Sequence, residues 1–225
     1  MVSEVEESIN AIKTLIGEKF PNLRNIFQEG IPSSEINDFE SEYNIKLPKD
    51  VVKYLQLVNG ESPYEEQNQF MIGVFLGLEM LSLDEIKREM NVWKQVVDEN
   101  PDFEEMELET YPKGFVSPVY CDANNWIGLT TDGSGNSIGI DLNPGPQGKI
   151  GQVIVWGRDY MDERIVLFDT WSCFLEKVVK DLQNDKIYKI EDNAFEMLDG
   201  ENDEIYGNYM DYLFETTLKR LRSGK

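Results

Sequence analysis

The sequence contains no histidine, only two cysteines and no long apolar run. The lack of histidine excludes Ser-His-Asp and Cys-His catalytic arrangements, and it excludes zinc and iron sites that use imidazole ligands. Cys121 and Cys173 are far apart and form no Cys-x-x-Cys pair, which favours two reduced thiols over a disulfide. These absences remove many enzyme classes, and we predict no catalytic residue, no metal site and no cofactor.

Long apolar segments and targeting signals are also missing. No stretch approaches the roughly 20 apolar residues of a membrane-spanning helix, and MVSEVEESINAIK is too acidic and polar for a secretory signal. We therefore expect a cytoplasmic protein without membrane association. At 225 residues the chain is long enough for one large domain, or for one domain with an extension.

Basic residues are scarce: 21 Lys and Arg stand against 43 Asp and Glu, for a formal charge of −22. This charge repels phosphate backbones and argues against nucleic-acid binding, whereas it would steer a basic protein towards the chain. With so many carboxylates, a pair at glycosidase spacing arises by chance, so paired acids do not indicate a hydrolase. A basic protein partner is one explanation of this charge, and a general adaptation for solubility is the other.

Apolar spacing predicts six helices and a set of short strands. The helices lie at residues 3–17, after IPSS with Ser33 or Ser34 as N-cap, from Pro48 to Asn59-Gly60, from Ser82, at TWSCFLEKVVKDLQ and at NYMDYLFETTLKRLR. Residues 70–81 mix aromatic, branched and glycine residues as a strand or bent strand pair would. The remaining strand-like runs are VSPVYC, WIGLTT, NSIGID, QVIVWG and RIVLF, with a hairpin at Asp132-Gly133. We predict an α+β fold, in which a mainly antiparallel, bent meander sheet is flanked by N-terminal and C-terminal helices.

Two acidic segments interrupt this pattern. Residues 98–109 and 191–204 each hold seven carboxylates and no lysine or arginine, and both interleave apolar residues with the charges. Solvated loops are one explanation; apolar anchors surrounded by acid for a basic partner are the other. The candidate partner-binding residues are Asp98, Glu99, Asp102, Phe103, Glu104, Glu105, Glu107, Glu109, Glu191, Asp192, Glu196 and Asp199. Phe195, Met197 and Leu198 are further candidate apolar anchors.

The run IDLNPGPQGKIGQVI, residues 140–154, concentrates glycine and proline around one lysine. It fails the Walker pattern, because Asn143 stands where the first glycine is required and Ile150 follows Lys149. It also fails the dinucleotide pattern, because a strand rather than a helix follows Gly151. We interpret it as a structured connection between two strands.

Two longer stretches resemble a known family: GIPSSEINDFESEYNIKLPKDVVKYLQLVNG and NNWIGLTTDGSGNSIGIDLNPGPQGKIGQVI. They are similar to the fungal cell-wall-assembly regulators and their bacterial relatives, the SUKH superfamily of immunity proteins, over about residues 30–183. The corresponding signature positions are Leu47, Pro48, Asn59, Gly60, Trp126, Gly133, Asp141, Pro144, Gly148, Gly151 and Gln152. From their residue types, we expect Asp141 and Gln152 to satisfy backbone groups in the bent sheet.

The resemblance divides the chain into an N-terminal helical extension (1–29), a SUKH-like domain (30–183) and an acidic connector with a C-terminal helix packed on the same domain (184–225). It also implies a non-catalytic protein. In bacteria such proteins neutralise a cognate toxin, often a nuclease with a basic cleft, so our leading hypothesis is an immunity protein for a basic toxin domain. The alternatives are a regulatory scaffold of the fungal type, and a small-molecule binder or enzyme that uses Asp122, Trp126 and Asp141 in a sheet-lined pocket. The partner, the contact face and the oligomeric state stay open.

Overall fold

The computed structural model describes residues 2–62, 73–191, 194–199 and 204–223. The helices of these residues are α1 (Val2–Lys19), α2 (Ser33–Tyr43), α3 (Lys49–Leu57), α4 (Leu83–Glu99), α5 (Trp171–Leu182) and α6 (Tyr209–Ser223). They occur where the apolar spacing predicted them, except that α3 ends at Leu57 and residues 58–60, predicted as the end of that helix, belong to a strand. The predicted serine N-cap of α2 is wrong, because the helix begins at Ser33 with Pro32 as N-cap and without a side-chain cap. None of these helices has both the length and the apolar composition needed to span a bilayer.

The strands of the same residues form three sheets. Their bounds are β1 (Phe27–Glu29), β2 (Val58–Glu61), β3 (Glu79–Met80), β4 (Glu109–Tyr111), β5 (Trp126–Thr131), β6 (Asn136–Asp141), β7 (Gln152–Gly157), β8 (Glu163–Phe168), β9 (Tyr188–Glu191), β10 (Ala194–Asp199) and β11 (Glu204–Tyr206). The central sheet has the order β3-β5-β6-β7-β8-β4. Strands β5 to β8 form the antiparallel meander, and β4 joins its edge parallel to β8. The α+β fold class is confirmed.

The predicted strand VSPVYC is wrong, because residues 116–121 form an irregular segment between β4 and β5. Pro118 has no backbone N–H to give to a sheet, which disfavours a ladder at this point. The apolar character of the run reflects packing instead: Val116, Tyr120 and Cys121 are buried against one face of the central sheet.

The two faces of the central sheet cover different cores, as alternation along β7 shows. Val153 and Val155 face the larger core, which also contains residues of α1, α3, α5 and α6. Ile154 and Trp156 face a smaller core that Trp93, Tyr120 and Trp126 complete. Both faces of the meander are therefore buried, and its strands consist largely of buried residues.

A buried glutamate fixes the chain between β2 and α4. Glu61 Oε1 accepts hydrogen bonds from Val74 N, over 3.0 Å, and from Met80 N, over 2.8 Å. Burial raises the pKa of Glu61 to about 8. Residues 73–78 make a turn, with a bridge between Phe75 and Leu78, and β3 follows. Residues 63–72 lie outside the description, so the first part of the bent strand pair predicted over 70–81 does too.

The C-terminal region contains more structure than the predicted acidic connector. Strands β9, β10 and β11 form a three-stranded antiparallel sheet in the order β11-β10-β9. Phe195 of β10 meets Phe20, which follows α1, with ring centroids 5.6 Å apart. The Tyr209 hydroxyl of α6 donates to Asp181 of α5 over 2.8 Å. This region is therefore packed on the rest of the fold rather than trailing from it.

Candidate functional site

A groove of about 460 Å³ lies between α4 and the hairpin that joins β5 to β6. We call it the α4 groove. Its apolar lining consists of Leu81, Val92, Trp93, Val96 and Tyr120. The rings of Trp93 and Tyr120 meet edge to face, with centroids 6.2 Å apart, and Val92 is 54% exposed. Aromatic and branched side chains that border a solvent-facing concave surface are typical of binding sites.

Local sequence explains why α4 presents this face. Ser82 and Glu85 form a capping box at its N-terminus, as the pattern S-x-x-E predicts. The signature residue Asn59 adds an acceptor, because its Oδ1 receives the Leu83 N–H over 2.8 Å. Buried residues recur along the helix at helical spacing: Leu83, Ile86, Met90 and Trp93. Val92 and Val96 fall beside this stripe and are left at the groove.

Glu89 places a carboxylate between α4 and the central sheet. Its Oε1 accepts a hydrogen bond from the Ser137 hydroxyl, and its buried Oε2 has no hydrogen-bond partner among the described residues. Burial raises the pKa of Glu89 to about 7, although Ser137 and Trp93 act in the opposite direction. Gly128 makes room for this carboxylate, since a Cβ there would lie 2.5 Å from Oε2. Glu89 stands next to Met90 and one helical turn after Ile86, both of which are buried residues of α4. This position could have indicated a partly buried carboxylate, but we did not predict it.

Charged side chains of both signs border the α4 groove. Glu79, Glu85, Arg88 and Arg158 line it together with Glu89. Arg158 lies 3.6 Å from Asp159, and both side chains are largely exposed. The groove is therefore an apolar depression with a mixed polar rim, which is the general anatomy of a protein-binding surface.

The first acidic segment, residues 98–109, is linked to this groove through Tyr120, whereas its Asp98 lines a separate pocket of about 230 Å³. It covers the end of α4, a short 3₁₀ turn (Pro101–Glu105) and the start of β4. Its exposed carboxylates are Asp98, Glu99, Asp102, Glu107 and Glu109, whereas the side chains of Glu104 and Glu105 lie outside the description. Phe103 is half-buried and stacks on Tyr120, with centroids 4.0 Å apart. The segment thus offers acid to solvent, while its aromatic residue packs inward on a ring that lines the groove.

The second acidic segment, residues 191–204, has a different structure. Alternation along β10 turns Phe195 and Met197 into the larger core, where they are buried. They are therefore not the exposed anchors that the sequence indicated; the apolar residues between charges were one face of a strand. Glu196 faces away and pairs with Lys189 over 2.8 Å. Asp192 lies outside the described residues, as do the side chains of Glu191 and Asp199.

The signature residues lie in four places. Asn59 and Gly60 lie beside the start of α4, and Gly133 lies in the β5–β6 hairpin. Trp126 is buried in the smaller core against Trp156, with centroids 5.7 Å apart. The others gather around the loop between β6 and β7: Leu47, Pro48, Asp141, Pro144, Gly148, Gly151 and Gln152.

Asp141 and Gln152 support this loop through backbone groups. Asp141 accepts the Asn143 N–H over 2.9 Å, and burial raises its pKa to about 6. Gln152 accepts the Lys149 N–H over 3.1 Å and donates to the Phe115 carbonyl over 2.8 Å. Trp126 and Asp141 are both buried, whereas Asp122 lines a separate pocket of about 230 Å³. The structure therefore does not bring Asp122, Trp126 and Asp141 to one open pocket.

Arg164 is a buried cation that sequence reasoning did not identify. Its guanidinium donates to the carbonyl oxygens of Tyr120 and Tyr160 and lies over the rings of Tyr120 and Trp126. Burial lowers its pKa to about 10. Arg164 therefore ties the irregular segment before β5 to β8. Within the described residues no group of three or more Cys, Asp or Glu side chains is placed to hold a metal ion.

Comparison with known proteins gives a consistent family match. A family model described as the SMI1/KNR4 family (SUKH-1) matches residues 30–177. The cell wall biosynthesis/cell cycle regulator smi1 of Schizosaccharomyces pombe is 30% identical over 222 residues, covering 93% of this chain and 42% of that protein. The cell wall assembly regulator SMI1 of Saccharomyces cerevisiae is 27% identical, covering 85% of this chain and 43% of that protein.

A third relative is the glucan synthesis regulatory protein of Neurospora crassa. It is 27% identical over 206 residues, which cover 78% of this chain and 38% of that protein. This chain therefore spans less than half the length of each of these three relatives. All three relatives are named as regulators.

Proposed function

Because the chain belongs to the SMI1/KNR4 family (SUKH-1), we propose that it is a non-catalytic regulatory protein of the cell-wall assembly regulator type, and that it binds another protein at the α4 groove. The carrying observation is the arrangement of apolar and acidic groups at this site. Val92, Trp93 and Tyr120 border an open depression, and exposed Asp102 is the chain neighbour of Phe103, which stacks on Tyr120. An apolar centre beside charged groups combines affinity with orientation.

We further propose that the partner is basic where it meets residues 98–109. The net charge of −22 gives the whole chain a field that attracts cations, and the exposed carboxylates of this segment concentrate it beside the groove. Arg88 and Arg158 at the groove itself require the partner to match both signs there. The long-range charge sets the rate of encounter, whereas the groove sets the orientation of the bound partner.

The test begins with proteins captured from the source cells by the purified chain. The dissociation constant of a captured, purified partner is then measured for the unchanged chain and for a variant with Asp98→Asn, Asp102→Asn and Glu107→Gln. A matched control, Glu29→Gln, Glu35→Gln and Asp38→Asn, removes the same charge from exposed positions near the N-terminus. We expect about tenfold weaker binding for the first variant at low salt and a smaller change for the control.

A second pair of variants tests the groove itself. Val92→Asp puts a charge on its exposed apolar wall, and Ile205→Asp does the same to an exposed isoleucine of β11. We expect Val92→Asp to weaken binding at least about tenfold without changing the melting temperature, and Ile205→Asp to have no effect. Equal effects of the two variants would reject the α4 groove as the site. A partner that proves to be a toxin encoded beside this gene would reject the regulatory role in favour of immunity.

A further inference from the structure

The loop between β6 and β7 holds one side chain in a fixed, exposed position. Ile150 is 70% exposed, the largest value among the exposed large apolar residues of the described chain. The turn that carries it is closed by three hydrogen bonds: Gly151 N to Asp141 O over 2.7 Å, Gln152 N to Lys149 O over 3.0 Å, and Lys149 N to Gln152 Oε1 over 3.1 Å. A side chain displayed by such a turn loses little backbone entropy when it binds.

Glycine allows this turn to sit tightly against the fold. Gly151 has a φ of +86°, and a Cβ there would lie 2.7 Å from Pro48 Cγ. A Cβ on Gly148 would overlap the Phe115 carbonyl oxygen. Because Gly148 and Gly151 have no side chains, the loop packs directly against Phe115 and Pro48. Ile150 stays outside this packing.

Ile150 stands beside a second groove, of about 480 Å³, which we call the Ile150 groove. Ile45, Leu47, Pro48 and Leu142 supply the rest of its apolar lining, and Leu47 is buried. The exposed Asn44 at its edge carries a side-chain amide that bonds to no described residue, so both a donor and an acceptor are available to an occupant. The Ile150 groove shares no lining residue with the α4 groove.

Lysines rather than acidic residues border this groove. None of its lining residues is acidic, and Lys46 lines it with a side chain 80% exposed. Lys49 and Lys149, the chain neighbours of Pro48 and Ile150, are exposed as well. Lys46 pairs with Glu40, which is buried, whereas Lys149 pairs with Asp169, whose side chain is 67% exposed. In a chain with twice as many acids as bases, this surface is suited to a carboxylate-bearing partner.

We propose that the Ile150 groove is a docking site for an extended peptide segment of a partner protein, in which an apolar side chain is flanked by carboxylates. The apolar side chain enters between Ile150 and Ile45, the carboxylates meet Lys46, Lys49 and Lys149, and Asn44 bonds the peptide backbone. We favour an extended segment over a compact ligand, because Ile150 stands at the edge of the groove. Only an occupant that extends beyond the groove would cover the Ile150 side chain. The inference rests on the proposed function only in that the chain acts by binding proteins; the residues are different.

A random peptide library, displayed and selected on the immobilised chain, tests this inference. The selected peptides are then compared on Ile150→Asp, on the matched control Ile205→Asp and on Val92→Asp from the α4 groove. We expect a class of peptides that Ile150→Asp binds at least about tenfold more weakly, that the other two variants bind unchanged, and that carries an apolar residue beside Asp or Glu. Because Ile150, Ile205 and Val92 are all exposed, the three variants should keep the melting temperature of the unchanged chain.

Several outcomes would overturn the proposal. Peptides lost on Ile150→Asp that carry Lys or Arg would show that the charge argument is wrong, and the absence of any peptide class specific to Ile150 would reject the site. Concentration-dependent shifts of the Ile45 and Ile150 methyl NMR signals without peptide would assign the groove to a second copy of the chain. If Val92→Asp no longer binds the captured partner but still binds the peptides, the α4 groove and the Ile150 groove are separate sites. Each proposal can therefore be rejected without the other.

Discussion

The Gln152 side chain donates to Asp141 Oδ2 over 3.0 Å, between two residues that face each other in the register of β6 and β7. Neither side chain reaches solvent. Each also bonds a backbone group of the adjoining loop, so a single buried pair holds both ends of that loop. The contacts of this pair are structural, while the loop it supports faces the solvent.

Asp141→Ala should lower the free energy of unfolding by about 1–3 kcal/mol, because the Asn143 N–H and the Gln152 amide lose a buried acceptor. Urea unfolding at neutral pH measures this. Asp141→Asn is the control: it keeps one acceptor oxygen without burying a charge, so most of the stability should remain. Unchanged stability of Asp141→Ala together with lost partner binding would place Asp141 in an interface instead.

Glu61 should make the stability fall as the pH rises. Burial raises its pKa from 4.5 to about 8, so the folded state holds this proton more tightly than the unfolded chain does. The stabilisation from the bound proton is complete below the unfolded pKa and is lost as the pH passes through the folded pKa. Between about pH 5 and about pH 8 the free energy of unfolding should therefore fall, by at most about 1.4 kcal/mol per pH unit from this group.

The Glu61→Gln variant isolates this contribution. Glutamine keeps an acceptor for Val74 N and Met80 N but cannot ionise, so its pH profile should be flatter than that of the unchanged chain. Urea unfolding of both proteins across the same pH window gives the difference. Since burial also raises the pKa of Asp141 and Glu89, both profiles should retain some slope. Parallel profiles would show that Glu61 is ionised in the folded state.

Gly128 and Gly139 face each other in β5 and β6 and should differ in their tolerance of alanine. A Cβ on Gly139 would overlap the Ile127 carbonyl oxygen, and backbone cannot move away cheaply. Gly139→Ala should therefore lower the free energy of unfolding by about 3 kcal/mol or more. A Cβ on Gly128 would lie nearest to the carboxylate of Glu89, which is the end of a flexible side chain. Gly128→Ala should therefore lower the free energy of unfolding by less than Gly139→Ala does, and by less still in a Glu89→Ala background. Equal costs in urea unfolding would contradict this difference.

Phe195→Ala should destabilise the fold by about 3–5 kcal/mol, because the ring is buried against Phe20 and Tyr188. Ile205→Ala, at a residue 61% exposed in the same small sheet, should change stability by less than about 0.5 kcal/mol. Thermal unfolding of both variants is the measurement. If Phe195→Ala kept its stability and lost the partner, the second acidic segment would be a binding surface after all.

Local signals account for what the sequence predicted well. The capping box at Ser82 and the alternating residues of β5 to β8 act over a few residues, so spacing alone identifies α4 and the meander. The parallel pairing of β4 with β8 has no such signal, because it joins Glu109 to Glu163 across a long stretch of chain. In the second acidic segment the charges concealed the alternation that buries Phe195 and Met197.

The grooves were beyond sequence reasoning for a similar reason. The Ile150 groove combines residues 44–48 with Asn125, Leu142 and Ile150, and only the folded chain brings these segments together. The signature residues of the β6–β7 loop could be identified from the family resemblance, but Ile150 between them looks like an ordinary strand residue. Its exposure follows from a turn geometry that periodicity does not reveal.

The two edges of the central sheet are short and carry negative charge. At one edge β3 spans only Glu79–Met80, and at the other β4 spans only Glu109–Tyr111. Both glutamates are exposed. A strand from another molecule would find few free backbone groups there and a carboxylate beside them. The sheet is thus protected at both sides against edge-to-edge aggregation, even though its interior strands are rich in β-branched residues.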